Sequence, residues 1–249
     1  MSAFYFGADD RPLFGFHHAP TETARGAVVA CPAWGLEYQY SHRALRVLAR
    51  NLAAIGLHVL RFDYSGTGDS WGETADADLD RWQDDVDLAI REIRAIGRQQ
   101  PVSLVGLRLG GAVAARAAAA RDDVRNLVLW DPILDGQGWV RETQRRAAPK
   151  LAGHVLNGRP EEFGGAVVSS TFVEQALAID PRLVGAGLAD HVLLLETQTD
   201  TRWQKLASEA SVQHEHVPDA SPWIEDVSIW SGQIPARAMR RIVEWIEQH

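Results

Sequence analysis

The sequence predicts a three-layer α/β fold: a mainly parallel sheet with helices on both faces and one helical insertion. Three observations predict it. Short apolar runs alternate with longer segments of helical periodicity, the pattern of parallel strands joined by crossover helices. The run Val102–Leu107 ends in a glycine turn and passes at once into an alanine-rich helix. The alternation breaks only over 133–190, where helical pieces occur without a clear strand.

The elements follow in order. Phe4–Phe6 and Leu13–His17 are short apolar stretches around Gly-Ala-Asp-Asp-Arg-Pro, a hairpin signal. Ala27–Cys31 reads as a buried strand stopped by Pro32. Over 41–55, Leu45, Leu48, Leu52 and Ile55 keep helical spacing, and Gly56 ends the helix. His58–Phe62 is the next strand, followed by a turn-rich loop, Asp63 to Ser70. Trp82, Val86, Ala89, Ile90, Ile93 and Ile96 mark one face of a long amphipathic helix. After the central strand come a helix over Ala112–Arg121 and a strand over Asn126–Trp130 that ends in Asp131-Pro132. Beyond the insertion, Leu193–Glu196 and Val212–Val217 are strands, 201–208 a short helix, and Ile234 to Trp245 a closing helix. Residues 1–249 are expected to form one domain, with 133–190 a lid over the C-terminal edge of the sheet.

Composition narrows the function classes. The chain has 249 residues, 46% of them hydrophobic and 23% charged, which suits one large globular domain. A formal charge of −8 disfavours a nucleic-acid binder, which needs basic surface to displace counterions from phosphate. A single cysteine, Cys31, cannot form an internal disulfide and suits a reducing cytoplasm. The first residues lack the basic and apolar regions of a signal peptide, and no apolar run approaches membrane-spanning length. Nine tryptophans is a high count. Trp34, Trp71 and Trp223 fall in loops near the expected site, where they could wall a pocket for an apolar ligand instead of filling the core.

Three segments carry the chemistry: Cys31-Pro32-Ala33-Trp34-Gly35-Leu36-Glu37, Arg61 to Ser70 (R-F-D-Y-S-G-T-G-D-S), and Gly106-Leu107-Arg108-Leu109-Gly110-Gly111. In this order and spacing they resemble the α/β-hydrolase family, over nearly the whole chain. The resemblance is nearest to the serine-aminopeptidase-like and exosortase-system-associated branch, often met beside biosynthetic gene clusters. It implies a nucleophile elbow, G-x-S-x-G, a Ser–His–Asp order along the chain, and two backbone N–H groups for the oxyanion. The nucleophile position falls on Arg108, and a guanidinium has no lone pair with which to attack a carbonyl. The oxyanion donors fall on Leu109 and on Ala33 or Trp34. The acid falls on Asp200. The histidine belongs in the loop Pro218 to Asp226, which contains none. Two of the three triad positions therefore depart from the pattern. His214 and His216 lie within the strand before that loop, and Ser65, Ser70 and Ser221 lack an elbow context.

An arginine on a short turn into a pocket requires a carboxylate or an anion. Glu37 is the first candidate partner, by a fork-to-fork contact, with Asp131, Asp200, Glu225 and Asp226 as alternatives. Two meanings follow. Arg108 grips a ligand carboxylate, enolate or carbonyl, and a carboxylate such as Glu37 or Glu225 serves as acid or base for hydrolysis, elimination or cyclisation. Alternatively, Arg108 plugs the nucleophile site and the protein is a non-catalytic binding partner. The catalytic expectation is thus Arg108, Glu37, Asp200 and Glu225, with Ala33, Trp34, Leu109 and Trp223 around the substrate. That substrate is an acyl, ester, thioester or polyketide-like small molecule of specialised metabolism, free or linked to a carrier protein through phosphopantetheine. No cofactor is implied. His17-His18 and His214-x-His216 lack a third ligand placed by spacing, so no metal is expected. A homodimer is compatible with the sequence, and a cytoplasmic location is expected.

Overall fold

The computed structural model describes residues 1–98, 100–151, 162–199, 201–210, 212–223 and 234–249. The chain begins β1 (Ser2–Ala8), β2 (Arg11–His18), β3 (Gly26–Cys31), α1 (Leu36–Ala54), β4 (Leu57–Phe62) and α2 (Leu79–Ile96). It continues β5 (Val102–Leu107), α3 (Leu109–Ala119), β6 (Val124–Trp130) and α4 (Gly136–Leu151). Then come β7 (Glu162–Phe163), β8 (Ala166–Val167), α5 (Ser170–Leu177), β9 (His191–Glu196), α6 (Thr201–Ala210), β10 (Gln213–His216) and α7 (Ala236–Gln248).

Eight strands form one sheet in the order β1-β2-β4-β3-β5-β6-β9-β10. β1 and β2 form an antiparallel hairpin, β2 meets β4 antiparallel, and every later pairing is parallel. The central strands β3 and β5 are buried along their whole length, because helices cover both faces and leave no polar side. Their alternation sorts side chains into two cores. Val29, Leu104, Leu129 and Leu194 pack toward α2 and α3. Val28, Val105, Val128, Leu193 and Leu195 pack toward α1 and α7, against Leu48, Ile242 and Trp245. The amphipathic helix expected from Trp82 to Ile96 is α2, with Asp78 capping it by accepting from the Arg81 amide.

Two expectations need correction. α1 begins at Leu36, five residues before the predicted 41, directly after Gly35 at φ 62°. The alternation Leu-Glu-Tyr-Gln-Tyr hides the helical period over 36–40, and the consequence is that Glu37 lies in the first helical turn. The stretch 133–190 does contain strands. β7 and β8 form a hairpin around Gly164-Gly165, both at positive φ as a two-residue reversal requires. Two residues per strand are too few to show a period in sequence. Between β6 and β9 the chain thus runs through α4, this hairpin and α5, and two short 3-10 turns return it to the sheet.

Candidate active site

The elbow consists of one residue. β5 ends at Leu107, α3 starts at Leu109, and Arg108 between them has φ 55° and ψ −123°. A side chain at positive φ is held there only when the surroundings over-determine it, at a cost of about 1–3 kcal/mol. Here they do. The Arg108 amide donates to the Trp130 carbonyl at 3.1 Å, and its carbonyl accepts from Gly111 at 2.9 Å and Ile133 at 3.2 Å. The glycines let the turn close. A Cβ on Gly106 would stand 2.5 Å from the Gly110 carbonyl oxygen, and one on Gly110 would stand 2.2 Å from that of Pro32. The second contact brings the start of α3 against the loop carrying Ala33 and Trp34.

The structure brings Arg108 and Glu37 together. Nε and Nη2 of Arg108 donate to Glu37 Oε1 at 3.2 and 2.9 Å, and Nη1 donates to the Asp131 carbonyl at 3.0 Å. The fork-to-fork contact expected from sequence is not formed: both nitrogens converge on one oxygen. Asp131, itself at φ 41°, turns its carbonyl toward the guanidinium and fixes its rotation. Two consequences follow. Three of the five guanidinium N–H groups are used, so two remain. Glu37 Oε2 is buried with no hydrogen-bond partner.

Asp131 does not offer its carboxylate to Arg108. Oδ1 accepts from the Thr197 amide at 2.7 Å, and Oδ2 accepts from Thr197 Oγ1 at 2.7 Å and Trp223 Nε1 at 3.0 Å. Burial pushes its pKa up, and these hydrogen bonds and Arg108 oppose the rise. Trp223 is fully buried, edge-on to Trp130, with its indole on Asp131. It braces the site from behind and does not wall the cleft. Trp71 is exposed.

In front of Arg108 lies an open cleft of about 390 Å³, lined among others by Asp131, Trp139, Glu142, Glu196 and Trp203. A smaller chamber of about 30 Å³ lies beside it, lined by Trp34, Glu37, Trp139, Glu142 and Arg146. Trp139 and Glu142 border both. Trp139 Nε1, like Glu37 Oε2, is buried without a partner. Trp34 is stacked on Phe163 and packs against Trp139 and Phe172, so aromatic rings join the loop after β3 to the 133–190 stretch. The Leu109 amide, at the first position of α3, has no intrahelical acceptor. Those of Ala33 and Trp34, in the adjoining loop, have no backbone partner among the described residues.

Asp200 and Glu225, and the alternative Asp226, lie outside the described residues. The other nucleophiles considered in sequence are occupied. Ser65 Oγ donates to Asp85 at 2.8 Å, Ser70 Oγ donates to the Asp63 carbonyl, and Ser221 Oγ contacts Thr197 Oγ1 in the interior. Cys31 is fully buried, and burial pushes its thiol up to about 12. His214 Nε2 bonds Glu196 Oε2 at 2.7 Å. Burial and the neighbouring His216 pull the His214 pKa down, and Glu215 opposes the fall. His216 reaches Thr199. Glu196 was missed by sequence reasoning, because a strand-terminal residue looks like the rest of its strand. Trp139 was missed because nothing in a helix marks which indole lacks a partner. Among the described residues no cluster of side chains could hold a metal ion.

The family model "Serine aminopeptidase, S33" matches residues 22–248. The palmitoyl-protein thioesterase ABHD10, mitochondrial, of Homo sapiens is 38% identical over 88 residues, which is 35% of this chain and 27% of that protein. Its Rattus norvegicus counterpart is 43% identical over 70 residues, 28% of this chain and 22% of that protein. The match thus spans about a quarter of these relatives' length. Among solved structures, Est1E from Butyrivibrio proteoclasticus with bound ferulic acid superposes with a TM-score of 0.68 at 17% identity, covering 99% of this chain and 97% of that one. Mouse alpha/beta hydrolase domain-containing protein 10 gives 0.63 at 18% identity, covering 100% and 98%. At these identities the likeness is one of fold.

Proposed function

Since the chain belongs to the serine aminopeptidase S33 family of α/β-hydrolases, we propose that it cleaves an acyl ester or thioester with water in place of a serine nucleophile. The observation that carries this reading is the divided use of one ion pair at the head of a cleft. Arg108 keeps two unused N–H donors, and Glu37 keeps one unused carboxylate oxygen.

A substrate carbonyl in the cleft takes hydrogen bonds from the free guanidinium N–H groups and from the Leu109 amide, which oppose the charge developing on its oxygen. The 30 Å³ chamber is large enough for one water, which needs about 10–15 Å³ and two to four polar partners. Trp139 Nε1 donates to that water, and the water donates to Glu37 Oε2. Its oxygen attacks the carbonyl carbon, Glu37 takes the proton, and the same proton passes to the departing alkoxide or thiolate. The products are a carboxylic acid and an alcohol or thiol. The relatives named as palmitoyl-protein thioesterases make a thioester the class to assay first, and small acyl groups of specialised metabolism, free or carrier-linked, fit the open cleft. An internal hydroxyl or enolate in the water's place would give cyclisation or elimination by the same groups.

Arg108→Ala and Glu37→Gln are each expected to lower kcat/KM on a panel of acyl thioesters and esters by about 100-fold or more. Circular dichroism and melting temperature check that each variant is folded. Two folded variants with unchanged turnover would overturn the reading. The second reading, a non-catalytic fold braced by Arg108, draws on the three donors already tied inside the protein. It predicts that both substitutions change melting temperature while no thioester or ester is turned over by any form.

A further inference from the structure

From the free edge of the sheet we infer that two copies of this chain join through β1, each β1 running antiparallel to the other, into one continuous sheet. The eight-stranded sheet has two edges, β1 and β10. An edge strand presents unpaired backbone N–H and C=O groups, and soluble proteins blunt it with shortness, charge, proline or a bulge. β10 is blunted: it has four residues, Gln-His-Glu-His, with Glu215 held by Arg241 and His214 by Glu196. β1 has none of these devices. It runs for seven residues, Ser-Ala-Phe-Tyr-Phe-Gly-Ala, without charge or proline, and its register with β2 is unbroken from Ser2 opposite His17 to Ala8 opposite Arg11. Among the described residues no strand pairs with its outer side.

The order of side chains names the occupant. Read from either end, β1 is small, small, Phe, Tyr, Phe, small, small. A two-fold axis through Tyr5 therefore sets Tyr5 against the partner's Tyr5, Phe4 against the partner's Phe6 and Ala3 against the partner's Gly7. Rings meet rings, and small residues meet small ones. A foreign strand would have to supply that pattern, whereas a second copy supplies it by symmetry. Phe4 and Phe6 share the face of the sheet that packs toward α2, and Tyr5 points to the opposite face. There Tyr5 is 59% exposed and rests on Phe14, which meets Phe16, with ring centroids 5.2 and 5.1 Å apart. α1 packs mainly on β4 and leaves Tyr5 uncovered. The two-fold axis brings two such aromatic rows together and removes both from water.

Charge and topology permit the joint. The chain carries a net charge of −8, but β1 carries none. Asp9 and Asp10 follow in the hairpin turn, and this pairing holds them about 27 Å from the partner's Asp9 and Asp10, beyond the screening length at physiological salt. Pairing uses up β1 on both copies and leaves only the blunted β10 edges outside, so assembly stops at two. Three strands, β2, β4 and β3, separate β1 from the elbow strand β5, so both clefts stay open. The joint is about 24 Å long and one strand wide, at the low end of specific interfaces, which corresponds to a micromolar Kd.

The test is sedimentation equilibrium of the intact protein from about 2 to 200 μM, with non-reducing electrophoresis of cysteine variants after diamide oxidation. The unaltered chain is expected to pass from monomer to dimer with a micromolar Kd and to form nothing larger. Tyr5→Lys sets two ammonium groups against each other and should raise that Kd at least about 30-fold, while Tyr5→Phe keeps it within about threefold. Tyr5 is exposed, so the lysine does not disturb the fold of one copy, and circular dichroism checks this. Opposed residues of an antiparallel pair have Cα atoms about 4.5–5.5 Å apart, within disulfide reach, whereas Ala3 and the partner's Ala3 would stand about 14 Å apart. Tyr5→Cys should therefore oxidise to a covalent dimer and Ala3→Cys should not; Cys31 is fully buried and does not compete. A monomer at 200 μM, an equally strong dimer in folded Tyr5→Lys, species larger than two, or a cross-link no more frequent in Tyr5→Cys than in Ala3→Cys would each overturn the inference. The cysteine test stands even where Tyr5→Lys misfolds. None of these readouts depends on turnover, so their failure leaves the esterase reading untouched.

Discussion

At the scale of the residue, the site rests on what Arg108 touches. Two of its three internal contacts go to one oxygen of Glu37 and the third to the Asp131 carbonyl, which leaves two donors unused. Sequence alone shows that the elbow holds a cation and that Glu37 stands in the neighbouring loop, so the pair was legible. Its geometry was not, because the positive φ of Asp131 leaves no mark in the sequence. Nor were the unpartnered Glu37 Oε2 and Trp139 Nε1, which depend on packing between distant segments. Restoring the family's nucleophile should not restore its chemistry. In Arg108→Ser the hydroxyl would have no histidine beside it among the described residues, since none lines the cleft, His214 is tied to Glu196, His216 reaches Thr199 and none follows His216 before His249. A fluorophosphonate probe is therefore expected to leave Arg108→Ser unlabelled; stoichiometric labelling would show a base that the structure does not place there.

At the scale of the element, the strands and helices were readable wherever a period had room to show itself. α2 presents one apolar stripe, and β3 and β5 are continuous apolar runs. Legibility failed where an element was short or began against a loop, as in β7, β8 and the first turn of α1. The strand-to-helix turn is the least forgiving junction. Gly110→Ala would drive a Cβ to 2.2 Å from the Pro32 carbonyl oxygen and 2.3 Å from that of Cys31, both backbone atoms. Neither strand end can retreat within a parallel sheet, so a loss of about 3 kcal/mol or more is expected in urea unfolding. Gly72→Ala, where the nearest atom would be at 3.4 Å, should cost less despite its positive φ.

At the scale of the whole molecule, fold class and the two-sided core followed from alternation, and the family match over 22–248 agrees with them. Asp85 is one interior source of the pH response of stability. Asp85 on α2 is buried, and burial raises its pKa to about 6 although Ser65 donates two hydrogen bonds to it. A carboxyl whose pKa is higher folded than unfolded binds protons more readily in the native state. Its contribution is therefore full below the unfolded value of about 3.8 and is lost as pH rises through about 6. Asp85→Asn, which keeps an acceptor for Ser65, should flatten the stability profile between pH 4 and 7 in denaturant titrations at fixed ionic strength. The interlocked pairs at the head of the cleft have a further consequence. Replacing the guanidinium alone strands a buried acid, and supplying an imidazole alone sets it facing a fixed cation. Each half-step leaves a charge without its counterpart, so the two positions are coupled and only a concerted change of both would be tolerated.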